Sequence, residues 1–217
     1  MGQATRNIAN SFTTSGVITS SAVNNTSLGN ITDLTLGGSL ILLSEQTASA
    51  DSSISFTSGI DSTYDEYWFI FNNIHLQTDN ANFIFNGSTD SGSTYSVVKT
   101  TTYFDSIHRE DDAGGSIQYQ TNFDFAQATN DQPLHRNMDA DNDSCCSGIL
   151  KIFNPSSTTY VKHFFYRGNH TFNSTPQHSM DTFVAGYFNT TSAVNGFRFK
   201  ANGGNIDDGT IQLFGVK

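Results

Sequence analysis

The residues best suited to chemistry are three aspartates that alternate along one short segment. Asp139, Asp141 and Asp143 are each separated by one residue, and carboxylates at this spacing can converge on a hard cation such as Ca²⁺. The pattern departs from an EF-hand loop, because Ser144 replaces the turn glycine and Leu150 replaces the bidentate glutamate. We therefore interpret the segment as a solvated acidic turn, with a Ca²⁺ site as the alternative, and assign no metal ligand and no cofactor.

The histidines are dispersed and match no metal-binding or catalytic motif. They form neither H-E-x-x-H nor an i, i+4 helical pair. His163 alternates with Val161 and Phe165, which favours a core or interface role. The six are His75, His108, His135, His163, His170 and His178.

Charge is concentrated at His108-Arg109-Glu110-Asp111-Asp112, between two runs of strand character. Paired carboxylates could act as the acid and the nucleophile of a glycosidase, but that pair is held about 5 to 9 Å apart across a cleft. Neighbours on one loop do not provide this geometry, and no G-x-S-x-G nucleophile elbow accompanies the many serines. We expect a solvated or intersubunit charge cluster, no catalytic residues and no enzyme activity.

Aromatic side chains suggest a possible carbohydrate site, because exposed rings can stack on sugars. The tyrosines that fall near predicted strand ends are Tyr95, Tyr103, Tyr119 and Tyr166. Most of the 12% aromatic residues must fill the core. A glycan site is therefore the alternative and not the first interpretation.

The two cysteines are adjacent, at Cys145 and Cys146. A bridge between neighbours is strained, because their Cα atoms lie closer than a disulfide normally allows. We expect two thiols on opposite faces of a strand, one buried and the other open to solvent or to a partner.

Composition excludes several classes of partner. The chain has 217 residues and a formal charge of −10, so phosphate would repel it and no nucleic-acid role is expected. No window approaches the ~18 consecutive apolar residues of a membrane helix, and the start MGQATRNIAN lacks the apolar core of a signal peptide. We expect no membrane association and synthesis in a cytoplasm without secretion.

The chain divides into a leader and one domain. Residues 1–37 are rich in Ser, Thr, Asn and Gly with scattered apolar positions, which predicts an extended N-terminal arm that orders against a partner. Residues 38–217 consist of short β-branched and aromatic runs separated by turn formers, which predicts an all-β sandwich of jelly-roll type. The predicted strands lie at about 40–44, 52–57, 66–76, 81–86, 94–104, 116–125, 147–153, 158–166, 181–189, 194–200 and 209–216.

Alternation within these runs predicts which strands are central. Tyr67, Phe69 and Phe71 share one face of a strand while Trp68 and Ile70 share the other. Because both faces are apolar, this strand should be central. The runs 197–200 and 211–213 alternate apolar with polar residues, so these strands should bury only one face.

Three segments resemble virion-associated proteins of marine tailed bacteriophages. They are Tyr64–His75 (YDEYWFIFNNIH), Phe153–Lys162 (FNPSSTTYVK) and the ending Gly204–Lys217 (GNIDDGTIQLFGVK). The resemblance covers about residues 38–217, and the arm resembles the Ser/Thr/Asn leaders by which phage appendages dock. It implies a jelly-roll-like domain on the particle surface, on head or tail, and commonly threefold association.

Together these observations predict a non-enzymatic accessory structural protein of a tailed-phage virion, either a capsid decoration protein or a head or tail fibre component. Its expected location is the virion, assembled in the bacterial cytoplasm, and its expected partners are other virion proteins. Surplus apolar groups on the outer strand faces, such as Phe214 and Val216, also predict a homo-oligomer, a trimer first. The alternative is a receptor- or glycan-binding tip module of a phage tail.

Overall fold

Twelve β-strands make up the regular structure of residues 39–217, the part of the chain that the computed structural model describes. This range contains no helix, so the predicted all-β class is confirmed, and nothing in it has the length and hydropathy of a membrane-spanning helix. The predicted arm at residues 1–37 lies outside the described residues. The strands are β1 (Leu40–Thr47), β2 (Ile54–Phe56), β3 (Glu66–Leu76), β4 (Ala81–Ser88), β5 (Lys99–Arg109), β6 (Gly115–Tyr119), β7 (Gln132–Met138), β8 (Cys146–Phe153), β9 (Lys162–Phe172), β10 (His178–Phe188), β11 (Gly196–Ala201) and β12 (Ile206–Val216).

The strands form one antiparallel sheet that branches at β9 and nearly closes on itself. One branch runs β1-β12-β3-β8-β9-β10-β5-β6, and the other runs β7-β4-β11-β2. The branches meet where Met138 of β7 pairs with Phe172 of β9. At the far end, Gln46 Nε2 of β1 donates a 2.8 Å hydrogen bond to the Ser55 carbonyl of β2.

An aromatic core holds the two branches together. Phe199 of β11 lies 5.0 Å from Phe69 and 5.1 Å from Phe71, ring centroid to centroid, and both of these rings project from β3 of the other branch. Phe85 of β4 packs edge-to-face on Phe164 of β9 at 5.3 Å. Large rings at such distances bury much apolar surface and add edge-to-face attraction. The core therefore lies between the inner faces of the two branches.

The predicted alternation is confirmed on the strands where it was clearest. β3 pairs with β12 on one side and β8 on the other, so it is internal to the sheet. Its Tyr67, Phe69 and Phe71 are buried, whereas Trp68 and Ile70 on the opposite face are only half-buried. The inward residues of β11 and β12 are likewise buried and their outward neighbours partly exposed.

Three strands are displaced from their predicted positions and one was missed. The displaced strands are β5, β6 and β9, which occupy residues 99–109, 115–119 and 162–172 in place of 94–104, 116–125 and 158–166. The missed strand is β7, which the sequence pattern did not suggest because Pro133, His135 and Arg136 interrupt its apolar residues. Gln132 and His135 are nevertheless fully buried, since this strand carries polar groups into the interior.

Candidate interaction surface

The three aspartates of the acidic segment line one surface cavity, together with Asp79 and Glu110. Asp139 is buried and accepts hydrogen bonds from Gln177 Nε2 and, at 2.9 Å, from Ser144 Oγ. Asp141 and Asp143 are exposed. Asp139, which was expected in a solvated turn, thus connects two loops through its buried carboxylate. Across residues 39–217 no group of three or more His, Cys, Asp or Glu side chains is arranged to hold a metal ion.

Two histidines come together in the interior, a juxtaposition that the sequence did not indicate. The rings of His135 and His170 lie 4.3 Å apart, centroid to centroid. His135 hydrogen-bonds Tyr166 through Nε2 and lies 3.3 Å from Thr182 Oγ1 through Nδ1. His170 Nε2 contacts the Arg136 carbonyl at 2.9 Å. These contacts connect β7 to β9 and β10 inside the sheet.

Burial keeps this interior network uncharged. It lowers the pKa of His170 to about 3, lowers the pKa of His135 well below its usual value, and raises the pKa of Tyr166 well above its own. Perturbed groups of this kind often mark active sites. Here the four side chains of His135, Tyr166, His170 and Thr182 are at most 3% exposed, so a substrate has no access to them and their role is structural.

The remaining histidines are separate from one another. His163, expected in the core or an interface, is exposed on β9, which excludes the core. His75 bonds the Ser144 carbonyl at 2.7 Å, His108 lies 3.3 Å from Asp112, and His178 stacks on Phe172.

The charged segment 108–112 forms the tip of the β5–β6 hairpin. Arg109 makes two hydrogen bonds to Asp111, of 2.9 and 2.7 Å, and these bonds hold the pKa of Asp111 well below its usual range. Glu110 and Asp112 are exposed. The carboxylates therefore point to solvent from one turn, consistent with the solvated cluster expected there.

The tyrosines considered for sugar stacking lie in different environments. Tyr103 and Tyr166 are buried in the core, so the sequence interpretation was wrong for these two. Tyr95 lies under the Arg198 guanidinium, and Tyr119 is exposed.

The cysteines agree with the prediction: both are free thiols, with Cys146 buried and Cys145 partly exposed.

The most distinctive surface feature is a continuous apolar area on the outer face of the longer branch. Cross-strand pairing places Ala185, Phe165, Lys151, Trp68, Phe214 and Leu42 in one row across six strands. In the next row, Phe104 stacks on Phe183 with ring centroids 4.7 Å apart. Phe165 is 53% exposed and Phe104 38%. Phe153 packs edge-to-face on Phe165 at 5.3 Å. We call this surface the outer aromatic patch and define it by six rings: Trp68, Phe104, Phe153, Phe165, Phe183 and Phe214.

Cations lie over two rings of this patch. The Lys151 ammonium is 3.8 Å from the Trp68 ring centroid, and the Arg167 guanidinium is 4.8 Å from that of Phe183. Two carboxylates also lie at the patch: Arg167 pairs with Asp181 at 2.8 Å, and Trp68 Nε1 donates to Glu66. Two positive and two negative groups make the patch electrically neutral within an acidic chain.

A groove of about 470 Å³ runs through the patch. Apolar side chains form its walls, including Phe104, Phe165, Phe183 and Ile149, and Lys151 and Arg167 lie at its sides. Sugar sites need several hydrogen-bonding groups beside the rings, and the groove offers few.

No family model, curated protein or solved structure matches the chain.

Removal of divalent cations should leave the stability of the protein nearly unchanged. Asp139 is already satisfied by protein donors, and no group of carboxylates in residues 39–217 is arranged to hold a metal ion, so a bound ion would add little to the free energy of unfolding. Thermal unfolding in excess EDTA and in added Ca²⁺ measures this. A fall of many degrees in EDTA that Ca²⁺ alone reverses would contradict it.

Stability should decline as the pH falls from about 6.5 towards 4. The pKa of His135 and His170 is lower in the folded protein than in the unfolded chain, so the unfolded state binds more protons in this window and is favoured as the pH falls. Each histidine should cost about 1.4 kcal/mol per pH unit below the unfolded pKa. Urea unfolding at several pH values measures the slope.

A matched pair of variants tests whether His170 causes the pH dependence of stability. His170→Gln should flatten the pH dependence, since glutamine can donate to the Arg136 carbonyl without titrating. His163→Gln, at an exposed position, should leave it unchanged. Equal slopes in both variants would show that His170 does not contribute to it.

Proposed function

We propose that the chain is a non-enzymatic accessory structural protein of a tailed-bacteriophage virion, a capsid decoration protein or a head or tail fibre component. It assembles through its arm, residues 1–37, and through symmetric contacts between copies. The outer aromatic patch carries this proposal, because contiguous exposed apolar surface commonly marks a site of contact with another protein. The virion role itself rests on the sequence resemblance.

The proposed fold within the all-β class is a jelly roll with an N-terminal arm. Its support is the nested pairing of eight strands: β1 pairs with β12, β2 with β11, β3 with β8 and β4 with β7, all antiparallel. Folding this long ribbon over brings β12 beside β3 and β11 beside β4. Two four-stranded layers result, the arrangement of two Greek keys found in viral capsid and lectin domains.

The four other strands are insertions into this ribbon. β5 and β6 lie between β4 and β7 in sequence, and β9 and β10 lie between β8 and β11. They extend one layer as β8-β9-β10-β5-β6. Three rings of the outer aromatic patch, Phe104, Phe165 and Phe183, belong to these insertions. The strands that enlarge the layer thus also supply half of the surface that we propose for assembly.

Copies of this chain are suitable partners for the patch. Its Lys151 and Arg167 are balanced by Glu66 and Asp181, so three patches can meet about a threefold axis without the repulsion expected elsewhere on a chain of charge −10. Closed symmetry buries such a surface on every subunit without forming filaments. Threefold association is what the resemblance implies, and we propose a trimer.

A receptor- or glycan-binding tip module is the second candidate. Tyr160 is 71% exposed and Tyr119 54%, and an exposed tyrosine offers both a ring face and a hydroxyl to a sugar. Saturable binding in a glycan screen, abolished by Tyr160→Ala or Tyr119→Ala, would favour this function.

Deletion of residues 1–37 should leave the domain folded and prevent its incorporation into particles. Residues 39–217 contain twelve strands and a buried core of their own, so the thermal midpoint should change little. Thermal unfolding and the content of purified particles, each measured beside the full-length chain, test the two parts. Loss of folding, or normal incorporation, would contradict the arm proposal.

Replacement of Phe165 by serine should dissociate the trimer. Truncation of a large aromatic at the centre of an interface commonly costs 2 kcal/mol or more, about a 30-fold loss of affinity. Sedimentation velocity at micromolar concentration measures the change, with Tyr160→Ser as the control at an exposed site outside the patch. The patch is not the interface if Phe165→Ser remains trimeric or if both variants dissociate alike.

A further inference from the structure

β6 lies at one end of the longer branch and has β5 as its only neighbour among the described strands. All five of its residues, Gly115–Tyr119, are exposed. An edge strand presents unpaired backbone groups that can accept a further strand.

The hydrogen-bonding pattern identifies which groups are open. Arg109 N–H bonds the Gly114 carbonyl at 3.1 Å, and Gln120 N–H bonds the Tyr103 carbonyl at 2.9 Å. In an antiparallel ladder, residues alternate between facing the partner strand and facing away. Even-numbered residues of β6 therefore bond β5, and Gly115, Ile117 and Tyr119 direct their N–H and C=O groups to the open edge.

We propose that β6 pairs antiparallel with β6 of a second copy, about a twofold axis at Ile117. Ile117 then faces Ile117 of the second copy, and each Gly115 faces a Tyr119. Three outward residues on each strand exchange six backbone hydrogen bonds across this contact. The sheet continues from one copy into the next.

The side chains of β6 complement one another in this register. Ile117 and Tyr119 lie on the same face as Phe104, the partner of Tyr119 on β5, so the pairing joins two isoleucines at its centre. Gly115 has no side chain on that face, which leaves room for the Tyr119 ring of the other copy. An aromatic ring over a glycine on a neighbouring strand is a known stabilising arrangement in sheets.

The opposite face of β6 is polar and internally satisfied. Gln118 Nε2 bonds Ser116 Oγ at 3.1 Å, and Gln120 Nε2 bonds Gln118 Oε1 at 3.2 Å. No residue of β6 is charged, so the antiparallel register places no like charges opposite each other. β6 contains no lysine or proline, and its register with β5 has no bulge, so these common protections of an edge strand are missing from it.

The contact is separate from the proposed virion role and does not rest on it. It uses the open edge of β6, whereas the threefold association uses the rings of the outer aromatic patch. The two are distinguished by variants, since Phe165→Ser should leave β6 pairing intact.

Cysteine cross-linking of the full-length chain tests the register directly. Residues that share bonds across an antiparallel ladder have Cα atoms about 5.5 Å apart, within disulfide range. Ile117→Cys should therefore form a covalent dimer on mild oxidation. In Gln118→Cys the two cysteines are offset by two positions, about 7 to 8 Å apart or more, and should not bridge. The unmodified chain is the control for any cross-linking through the native Cys145 and Cys146.

A second pair of variants tests the backbone contribution. Ile117→Pro removes an outward N–H and leaves the bonds to β5 in place, since proline is tolerated on the open side of an edge strand. Ile117→Thr keeps the N–H. Light scattering should show loss of the twofold contact in Ile117→Pro and its retention in Ile117→Thr, with unchanged circular dichroism in both.

Equal cross-linking of Ile117→Cys and Gln118→Cys would overturn the proposal, as would none in either. So would an Ile117→Pro chain that is folded and associates as the unmodified chain does. Selective cross-linking at Ile117 together with dissociation of Ile117→Pro supports it.

Discussion

The contact between Phe199 and the rings of β3 is the interaction on which the rest of the structure depends. Phe199 lies within 5.1 Å of Phe69 and Phe71 and also packs on Phe56 at 6.2 Å. Phe199 and Phe56 project from one branch of the sheet, and Phe69 and Phe71 project from the other. Their packing therefore sets the separation of the two inner faces. Because large side chains fill the space between the branches, the outward residues of each strand are directed to the surface. The exposed aromatic face is therefore a consequence of the register that the core requires.

The inserted strands bring a different chemistry into the interior. Where β5, β9 and β10 face β7, the inward positions include Tyr103, His135, Tyr166 and Thr182, not only aliphatic groups and phenylalanine. Buried polar groups are costly unless they are hydrogen-bonded and uncharged. Neutral His135 meets that requirement through Tyr166 and Thr182, whereas His170 Nδ1 and the Tyr103 hydroxyl have no hydrogen-bond partner among residues 39–217. The interior thus changes from an aromatic region to a polar one, and the polar region contributes to holding β7 against β9.

The predictability of each strand from the sequence follows from what its inner face contains. β3 and β12 were located closely because apolar residues alternate along them, as with Phe69 and Phe71. β7 was not located because Gln132 and His135 occupy inward positions, and an inward polar residue cannot be distinguished from an outward one by pattern alone. β5 was displaced for the same reason, since Lys99 and Asp105 are fully buried.

The surface was predictable only in part. Apolar residues on the outward face of β12, such as Phe214 and Val216, indicated that this face needs cover, and Phe214 does lie, half-buried, in the outer aromatic patch. The other rings of the patch are brought together by pairing between strands that are far apart in sequence, such as β10 with β5. These pairings follow from the fold and cannot be read from the local pattern. The convergence of His135 with His170 has the same origin. In contrast, the pattern of the 139–143 segment gave no indication that Asp139 would bond Gln177 from a distant loop.

The central claim is that the outer aromatic patch is covered by other copies of the chain, and the single tryptophan reports on it directly. Trp68 is the only tryptophan in the sequence and lies, half-buried, within the patch. Acrylamide quenching of its fluorescence over a dilution series, with the mass followed by light scattering, measures its accessibility as subunits associate. The account predicts that the Ile117→Pro chain, which lacks the β6 contact, is a trimer at micromolar concentration in which Trp68 is protected, and that quenching increases as dilution lowers the mass. A chain that remains monomeric, or a trimer in which quenching is independent of concentration as it dissociates, would contradict it.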